Sequence, residues 1–366
     1  MILLHVAPID WQRLSGPAVS VPGLIRAQEG LAGIEAAMLN SLMPEESEAD
    51  SGFPRFGYRT ALAGPRGLAL PPPFDRPDMV VFHSTYVPRH AAIAGRLRRM
   101  GVPYLICPRG GMTRRALAHR RWKKRMGNVL FFRRLVRRAR AVHCLTQREA
   151  AEAAGWGRPV FVVGNGINVP NGVGENGVLP WPPRLVFIGR LAVRHKGLDL
   201  LLDGTAQAAA TLRRCGARID LYGPDFEGGA AQVARHIRRA GVADLVGLHG
   251  PVCGQAKRAA MEASTVFVST SRWEGHPMAV LEAMAHGRPC LLTPGTNMAE
   301  EVAGAGAGWV VAPTATAIAE GLTKVLDSPP ETIRQAGQAA RRLAQERYSW
   351  PRIAALSLEA YRRYVN

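Results

Sequence analysis

The chain has 366 residues and a mass of 39.6 kDa, which is enough for two domains of ordinary size. Its 47% apolar and 20% charged residues exclude an intrinsically disordered protein, and no apolar run approaches the roughly 18 residues of a transmembrane helix. Five single cysteines, with no Cys-x-x-Cys pair, exclude a zinc ribbon and a thioredoxin-type motif and suit a reducing cytosol.

The positive charge of the chain is concentrated in one segment. The total of 47 basic minus 28 acidic residues gives +19, and residues 79–148 hold 18 of the basic residues and no Asp or Glu. The remainder therefore has 29 basic and 28 acidic residues, a net charge of +1. Such a segment predicts an anionic partner, namely lipid head groups, nucleic acid or a phosphorylated substrate. The alternative is a solvated basic surface.

In the first half of the chain, short apolar runs alternate with helical patterns. The first run follows no basic leader, so we expect a strand there and not a signal peptide. Predicted strands are residues 2–6, 79–82, 103–107, 141–145 and 160–163, and predicted helices are residues 17–30, 89–100 and 113–139. Residues 41–75 are rich in Pro and Gly and are predicted to form a long loop.

Turn-forming residues at nearly every position of 165–177 predict a linker, after which the alternation starts again. Predicted strands are residues 184–188, 217–222, 245–249, 265–269, 289–292 and 309–311, with helices between them that include 254–261 and 278–286. This pattern predicts parallel βαβ units in two doubly wound domains, with ligands at the carboxyl ends of the strands in a cleft between the domains. No strand follows the last predicted helices, residues 333–347 and 351–364, so they must pack on what precedes them.

Two cations flank the loop that follows the predicted strand at residues 184–188. The sequence is Gly189-Arg190-Leu-Ala-Val-Arg-His-Lys196-Gly197, so the cations are six residues apart. Arginine binds phosphate oxygens through two parallel hydrogen bonds, lysine supplies a point charge, and the next helix adds its positive end. The motif therefore predicts a diphosphate site. The alternative is a surface turn with chance basic residues.

Two glutamates, Glu274 and Glu282, lie eight residues apart in a second motif. Glu274 falls in the loop after the predicted strand at residues 265–269, and Glu282 lies about one turn into the next predicted helix. Two carboxylates beside a phosphate site suit recognition of ribose and sugar hydroxyls, and the free amides of the loop face the same space. The alternatives are a turn for Glu274 and a surface position for Glu282.

Together the two motifs resemble the family-four glycosyltransferases, which are retaining enzymes of the GT-B fold. The resemblance covers residues 184–311 and includes Tyr222-Gly-Pro-Asp225 and residues 296–302. It implies an α/β fold of two doubly wound Rossmann-like parallel-sheet domains facing a central cleft, with the C-terminal helix packing back on the N-terminal domain. The expected boundaries are residues 1–168 for the acceptor-side domain, 169–183 for the linker, 184–345 for the donor-binding domain and 346–366 for the returning helix.

The resemblance also implies roles for the motif residues. In that family the Arg and Lys bind the donor diphosphate, which here implies this role for Arg190 and Lys196. The first Glu contacts the donor sugar and the second Glu contacts the ribose, which implies these roles for Glu274 and Glu282. His276 stands where an aromatic residue such as Phe is usual. The further positions assigned to donor binding are Gly16, Gly189, Gly223, Gly275, His276, Pro277, Met278, Asn297 and Met298.

The N-terminal half resembles the same family more loosely. Ser15-Gly16-Pro17 is similar to its glycine loop, and Cys107-Pro-Arg-Gly-Gly-Met112 with Trp122-Lys-Lys124 resembles a branch that acts in bacterial polysaccharide assembly. Many relatives contact the sugar with a histidine where this chain has Arg109. His83 is a second candidate for that role, and the sequence does not decide between them.

These observations lead us to expect a metal-independent hexosyltransferase, because no Asp-x-Asp sequence occurs and the only small-molecule requirement is the nucleotide-sugar donor. The expected acceptor is a lipid-linked diphosphate or an oligosaccharide, in exopolysaccharide, capsule or lipopolysaccharide assembly. The basic segment is expected to dock on the cytoplasmic face of an anionic membrane. Alternatives are a nucleotide-sugar epimerase or phosphorylase-like enzyme, an inactive scaffold, and a basic nucleic-acid-binding protein. The chain has no recognised nucleic-acid-binding motif, so we expect no nucleic-acid partner.

Overall fold

The computed structural model describes residues 1–12, 15–45, 52–64, 67–113, 132–170 and 180–365. The chain divides into two compact units, one formed by Met1–Gly166 with Trp350–Asn366 and the other by Ile167–Ser349. Among the described residues, none of the helices combines the length and the hydropathy needed to pass through a bilayer.

The first unit has a seven-stranded parallel sheet in the order β3-β2-β1-β4-β5-β6-β7. Its strands are β1 (Ile2–Ala7), β2 (Glu35–Asn40), β3 (Arg55–Gly57), β4 (Met79–His83), β5 (Tyr104–Cys107), β6 (Val142–Cys144) and β7 (Val160–Val162). Its helices are α1 (Gly16–Glu29), α2 (Tyr58–Leu62), α3 (Pro88–Met100), α4 (Arg133–Arg138), α5 (Gln147–Ala153) and the C-terminal α15 (Trp350–Arg362), with a 3₁₀ turn at Ala154–Trp156.

The central strands of this sheet are buried on both faces, which is why they read as continuous apolar runs. Leu4 and Val6 of β1 lie in one apolar cluster, whereas Leu3 lies in another on the opposite face. Helix α1 begins after Ser15, whose hydroxyl caps the amide of Ala18, and therefore starts at the carboxyl end of β1.

The predicted long loop at residues 41–75 is wrong in part, because β3 and α2 lie within it and β2 directly precedes it. Sequence patterns fail here because β2 is a short alanine-rich strand buried between β1 and β3, and β3 has three residues. The C-terminal segment joins the first unit at Trp350, because α14 (Pro330–Tyr348) continues three residues beyond the expected boundary at 345/346.

The second unit has a six-stranded parallel sheet in the order β10-β9-β8-β11-β12-β13. Its strands are β8 (Arg184–Ile188), β9 (Arg218–Tyr222), β10 (Val246–His249), β11 (Val266–Ser269), β12 (Cys290–Leu292) and β13 (Gly308–Val310). Its helices are α6 (Val193–Lys196), α7 (Leu198–Gln207), α8 (Ala209–Arg214), α9 (Gly229–Arg239), α10 (Gly254–Glu262), α11 (Met278–Ala285), α12 (Ala299–Gly304), α13 (Ala315–Leu326) and α14, with a 3₁₀ turn at Pro294–Thr296.

All six strands lie within one residue of their predicted bounds. The unit begins at Ile167, so it contains residues 167–168 of the expected first domain and the described residues of the expected linker, 169–170 and 180–183. Residues 171–179 are not among those described. The strand order reverses between β8 and β11, which are adjacent in the sheet. In open α/β sheets such a reversal marks where ligands bind at the carboxyl ends of the strands.

Candidate active site

The two sequence motifs meet where the strand order of the second unit reverses. The loop of residues 189–197 follows β8, and the loop of residues 270–277 follows β11. The two loops therefore leave the same edge of the sheet side by side, although more than 70 residues separate them in sequence. This arrangement brings Arg190, Lys196 and Glu274 to one end of the unit.

Direct contacts fix the two loops to each other. Gly197 has a φ of 65° and its Cα faces the carbonyl oxygen of Thr270 so closely that any Cβ would overlap it. The Thr270 hydroxyl donates to the carbonyl oxygens of Lys196, at 3.2 Å, and of Gly197, at 2.9 Å. The guanidinium of Arg272 holds both carboxylate oxygens of Asp199 at 2.7 Å. The loops therefore form one unit whose side chains have fixed relative positions.

Glu274 is a shielded carboxylate with three neighbours. Lys196 Nζ forms an ion pair and hydrogen bond with Oε1, and the Ser271 hydroxyl donates to the same oxygen at 2.8 Å. His195 Nε2 lies 4.0 Å from Oε2. Burial alone would raise the pKa of Glu274, but the Lys196 charge, His195 and the Ser271 hydrogen bond together lower it below its usual value. Glu274 is thus a carboxylate at neutral pH and accepts hydrogen bonds.

His195 was not identified from the sequence. Its ring stacks on the Trp273 indole at 4.7 Å between centroids, and its Nε2–H donates to the Trp273 carbonyl oxygen at 2.8 Å. Burial lowers the pKa of His195, with Glu274 opposing the shift. The neutral ring therefore packs against the loop that carries Glu274. Its place directly before Lys196 was the only signal in the sequence.

Arg190 differs from Lys196 in having no carboxylate within 4 Å among the described residues. Its guanidinium lies over the ring of Phe226, 4.8 Å from the centroid, and stays half-exposed. Beside it, the backbone of Gly223 at the end of β9 approaches the Gly189 carbonyl oxygen so closely that a Cβ could not be accommodated. Arg190 is therefore a cation available to an anionic ligand at a narrow, glycine-lined strand end.

The loop of residues 275–278 leads into helix α11, whose N-terminus has no side-chain cap. Asn297, at a left-handed φ of 60°, holds the loop from behind, since its Nδ2 donates to the carbonyl oxygens of Glu274, at 2.6 Å, and Gly275, at 3.2 Å. Such an uncapped helix start attracts negative charge. His276 is buried with its ring 5.3 Å from that of Tyr348. Pro277 is the residue directly before the helix, and its carbonyl oxygen accepts the first helical hydrogen bonds. Met278 and Met298 are buried in the apolar cluster beneath.

Glu282 lies in the second turn of α11. Its Oε2 forms an ion pair with Nζ of Lys257, a residue of α10 that the sequence did not point to. The structure thus places both motif glutamates next to a lysine, Glu274 beside Lys196 and Glu282 beside Lys257.

In the first unit, His83 lies in the interior with no solvent exposure and with both ring nitrogens hydrogen-bonded. Arg109 Nε–H donates to His83 Nδ1 at 3.1 Å, so the His83 proton is on Nε2, which donates to His5 Nδ1 at 2.9 Å. His5 Nε2–H then donates to the Gln28 carbonyl oxygen at 2.8 Å, and the Gln28 amide donates to Ser357 of α15 at 2.8 Å. Burial lowers the pKa of His5 to about 3 and that of His83 well below its usual value. This placement argues against a sugar contact by His83.

Arg109, the other candidate, is half-exposed and has a left-handed φ of 50°. Its Nη1 donates to the Ser20 hydroxyl at 2.8 Å and to Asn165 Oδ1 at 3.2 Å, and no carboxylate lies within 4 Å of its guanidinium in the described part of the chain. The loop is anchored by buried Glu149, which accepts from the amide of Gly110; burial is the main cause that raises the pKa of Glu149. Of the two candidates, only Arg109 is accessible to a ligand.

The remaining predictions on the first unit concern Gly16 and the basic segment. Gly16 is exposed as the first residue of α1, directly after the Ser15 cap. Residues 114–131, which include Trp122-Lys-Lys124 and most of the predicted membrane-docking helix, lie outside the described residues. The described end of the segment, α4, has Leu135 and Val136 buried and four arginines exposed: Arg133, Arg134, Arg137 and Arg138.

Family comparisons match both units. Residues 15–166 match a family described as "Glycosyl transferase 4-like domain", and residues 182–328 match one described as "Glycosyl transferases group 1". These two matches cover the parts of the chain that carry all of the sequence motifs discussed above.

Individual relatives agree with the family matches. The mannosylfructose-phosphate synthase of Agrobacterium fabrum is 30% identical over 113 residues, which span 30% of this chain and only a quarter of that protein. Among solved structures, sucrose-phosphate synthase from Thermosynechococcus elongatus superposes with a TM-score of 0.75 at 17% identity over 99% of both chains. HepE of Anabaena, solved with UDP and glucose, has a TM-score of 0.71 at 14% identity over 99% of this chain and 100% of that one. At these identities the structural likeness shows the fold, and it confirms the predicted architecture.

Proposed function

We propose that this chain, which belongs to the family-four glycosyltransferases and has their GT-B fold, transfers a sugar from a nucleotide-diphosphate sugar to a lipid-linked or saccharide acceptor. The transfer retains the anomeric configuration and serves the assembly of a bacterial exopolysaccharide, capsule or lipopolysaccharide. The retaining mode and the pathway come from the family resemblance of the motifs. The UDP and glucose in the Anabaena neighbour support a nucleotide-sugar donor.

The observation that carries this proposal is the meeting of the two motif loops at the strand reversal of the second unit. Arg190, which has no carboxylate partner among the described residues, converges there with a second cation, Lys196, and with the N-terminus of α11, which has no side-chain cap. All three favour negative charge, and together they suit a diphosphate better than a single phosphate. Glu274 and Glu282 supply the acceptors that sugar and ribose hydroxyls need.

In the proposed reaction, the bond between the anomeric carbon and the diphosphate oxygen breaks, a new bond forms to an acceptor hydroxyl, and the proton of that hydroxyl passes to the released diphosphate. Negative charge builds on the leaving diphosphate. Arg190 and the helix amides stabilise that charge, because they are already oriented when the reaction starts. Lys196 has three donors, so it can retain Glu274 and also bind a phosphate oxygen. Since Glu274 is ionised, it orients the sugar by accepting hydrogen bonds.

On the acceptor side, we propose that the basic segment docks on an anionic membrane surface at the cytoplasmic face. Helix α4 supports this, because its apolar residues are buried and its four arginines point to solvent. Each cation near an anionic surface contributes about 1 kcal/mol, within a screening length of about 8 Å at physiological salt. Arg109 is the proposed contact to the acceptor or the transferred sugar.

The donor proposal is tested by thermal unfolding with UDP and GDP, followed by transfer assays with the sugar nucleotides of the stabilising base. A ligand at 100 times its dissociation constant stabilises by about 2.7 kcal/mol. Arg190→Ala should lower turnover by roughly 10²–10³, as loss of one transition-state donor does. Arg184→Ala, at the opposite end of β8, is the matched control. Wild-type turnover of Arg190→Ala would contradict the site, and full activity in EDTA is expected because we propose no metal requirement.

The membrane proposal is tested by sedimentation with anionic vesicles at low and high salt. Reversal of the four exposed arginines of α4 to Glu should weaken vesicle binding and leave transfer to a soluble acceptor analogue intact. The control reverses three exposed arginines of α9 in the second unit: Arg235, Arg238 and Arg239. Equal loss of binding in both variants would show a non-specific charge effect, and no loss in either would contradict docking through α4.

A further inference from the structure

Lys257 of α10 lies against Glu282 of α11, in the part of the second unit where the ribose is proposed to bind. Its Nζ contacts Glu282 Oε2 without the angle of a hydrogen bond, so the contact is an ion pair. The two side chains are only 26% and 17% exposed, so solvent screens their attraction less than it would at the surface. The pair is therefore a partly buried ion pair within the proposed ribose site.

The two oxygens of the Glu282 carboxylate have different surroundings. Oε2 is buried against the lysine. Oε1 makes no hydrogen bond to any described residue, and it is not among the buried oxygens that lack a partner. Oε1 is consequently the oxygen that solvent reaches and that a ligand hydroxyl can approach.

Helix α10 is held in an orientation that points Lys257 towards α11. Met261, one turn further along, is buried in the same apolar cluster as Leu281 of α11. Arg258, which directly follows Lys257 in sequence, points outward and pairs with Glu262 at 2.7 Å. The packing of α10 thus separates two adjacent cations, one facing the proposed site and one facing solvent.

We propose that Lys257 is a positioning residue that makes the site selective for a ribonucleotide over a 2′-deoxyribonucleotide, an inference that rests on the proposed function. Lys257 holds Oε2 and keeps the Glu282 carboxylate in one orientation, so that Oε1 accepts hydrogen bonds from the ribose hydroxyls. Hydrogen bonds to a charged group contribute enough for roughly tenfold to a hundredfold in affinity. A carboxylate free to turn away would lose much of that preference.

The test compares the affinities of UDP and 2′-deoxy-UDP, and of GDP and 2′-deoxy-GDP, by calorimetry. The proteins are the wild type, Lys257→Met, Lys257→Arg and Glu282→Gln, with Arg258→Met as the matched control. We expect the wild type and Arg258→Met to prefer the ribo form by at least about tenfold, and Lys257→Met and Glu282→Gln to lose most of this preference. Lys257→Arg should regain part of it. In transfer assays Lys257→Met should raise the donor KM more than it lowers kcat.

If Lys257 had only a structural role, Lys257→Met would lower the affinities for the ribonucleotide and for the 2′-deoxyribonucleotide equally. This result would overturn the inference. Retention of the wild-type preference in Lys257→Met would overturn it as well. Both results leave the proposed function standing, because the wild type still binds the nucleotide. If the wild type binds none of the four nucleotides, the proposed function fails together with the inference. A folded state for each variant is checked by its circular dichroism and melting curve.

Discussion

The ion pair between Lys196 and Glu274 allows one prediction to be worked out in detail. Lys196→Ala removes the cation from a carboxylate whose side chain is only 11% exposed. Removing one partner of a buried pair typically costs about 3–5 kcal/mol, because the remaining charge is left without compensation. The Ser271 hydroxyl and nearby His195 remain, so we expect about 3 kcal/mol, at the lower end of that range.

A second substitution separates the charge effect from the loss of packing. In Lys196→Ala/Glu274→Gln the buried charge is gone, so the double variant should be more stable than Lys196→Ala alone. The pH dependence should also change sign. In the wild type the lowered pKa of Glu274 contributes stability above its ordinary pKa, and this is lost as pH falls through the folded value. Without Lys196, burial raises that pKa, so the deficit of the single variant should shrink as pH falls.

The assay is urea unfolding at pH 8 and pH 5 for the wild type, both single variants and the double variant. Since the chain has two units, the transition of the second unit is fitted separately. The four free energies give the coupling between the two side chains. A loss below about 1 kcal/mol in Lys196→Ala, the range of an exposed pair, would refute the reasoning, as would strictly additive effects.

Two further predictions concern backbone and protonation. Gly197→Ala should destabilise the second unit by more than about 2 kcal/mol and reduce donor binding, because the new methyl group overlaps the Thr270 carbonyl oxygen. The control is Gly228→Ala, at a φ of 76° with open space around it, which should cost about 1 kcal/mol. Burial lowers the pKa of His143 to about 4, so it contributes stability above pH 6.5 that falls by about 1.4 kcal/mol per pH unit between about pH 6 and pH 4. His143→Phe should flatten the acid limb of unfolding by that amount, and an unchanged slope would contradict the assignment.

The fold of the second unit could be predicted well because its information is local. Each strand is a short apolar run between turn-forming residues, and the helices between them have helical periodicity, so the six strands were located within a residue. The first unit was harder where local signals are weak. β2 is an alanine-rich strand, β3 is an edge strand of three residues, and neither has a pattern that distinguishes it from a loop.

Residue types and their spacing predicted which residues form the candidate site, but not the contacts between them. The sequence placed Arg190, Lys196 and Glu274 near one another, but it did not indicate that Lys196 pairs with Glu274 while Arg190 stays open. It also ranked His83 as a candidate, since a histidine at a strand end looks the same whether its ring points outward or inward. Its burial depends on His5 and Gln28, which belong to other elements and give no local signal.

The same long-range contacts explain how a site on loops can be rigid. The segment after β8 contains only the short helix α6, and the loop after β11 has no regular secondary structure. Thr270 nevertheless connects the two segments through two hydrogen bonds, and Arg272 ties the second loop to Asp199 of α7 through two more. Asn297 then holds the second loop from behind through two more. These donors belong to the support and not to Arg190, whose guanidinium has no carboxylate within 4 Å among the described residues. Lys196, the second proposed ligand of the diphosphate, keeps donors that its pair with Glu274 does not use. That combination, a satisfied support around unsatisfied donors, is what electrostatic stabilisation of a leaving group requires.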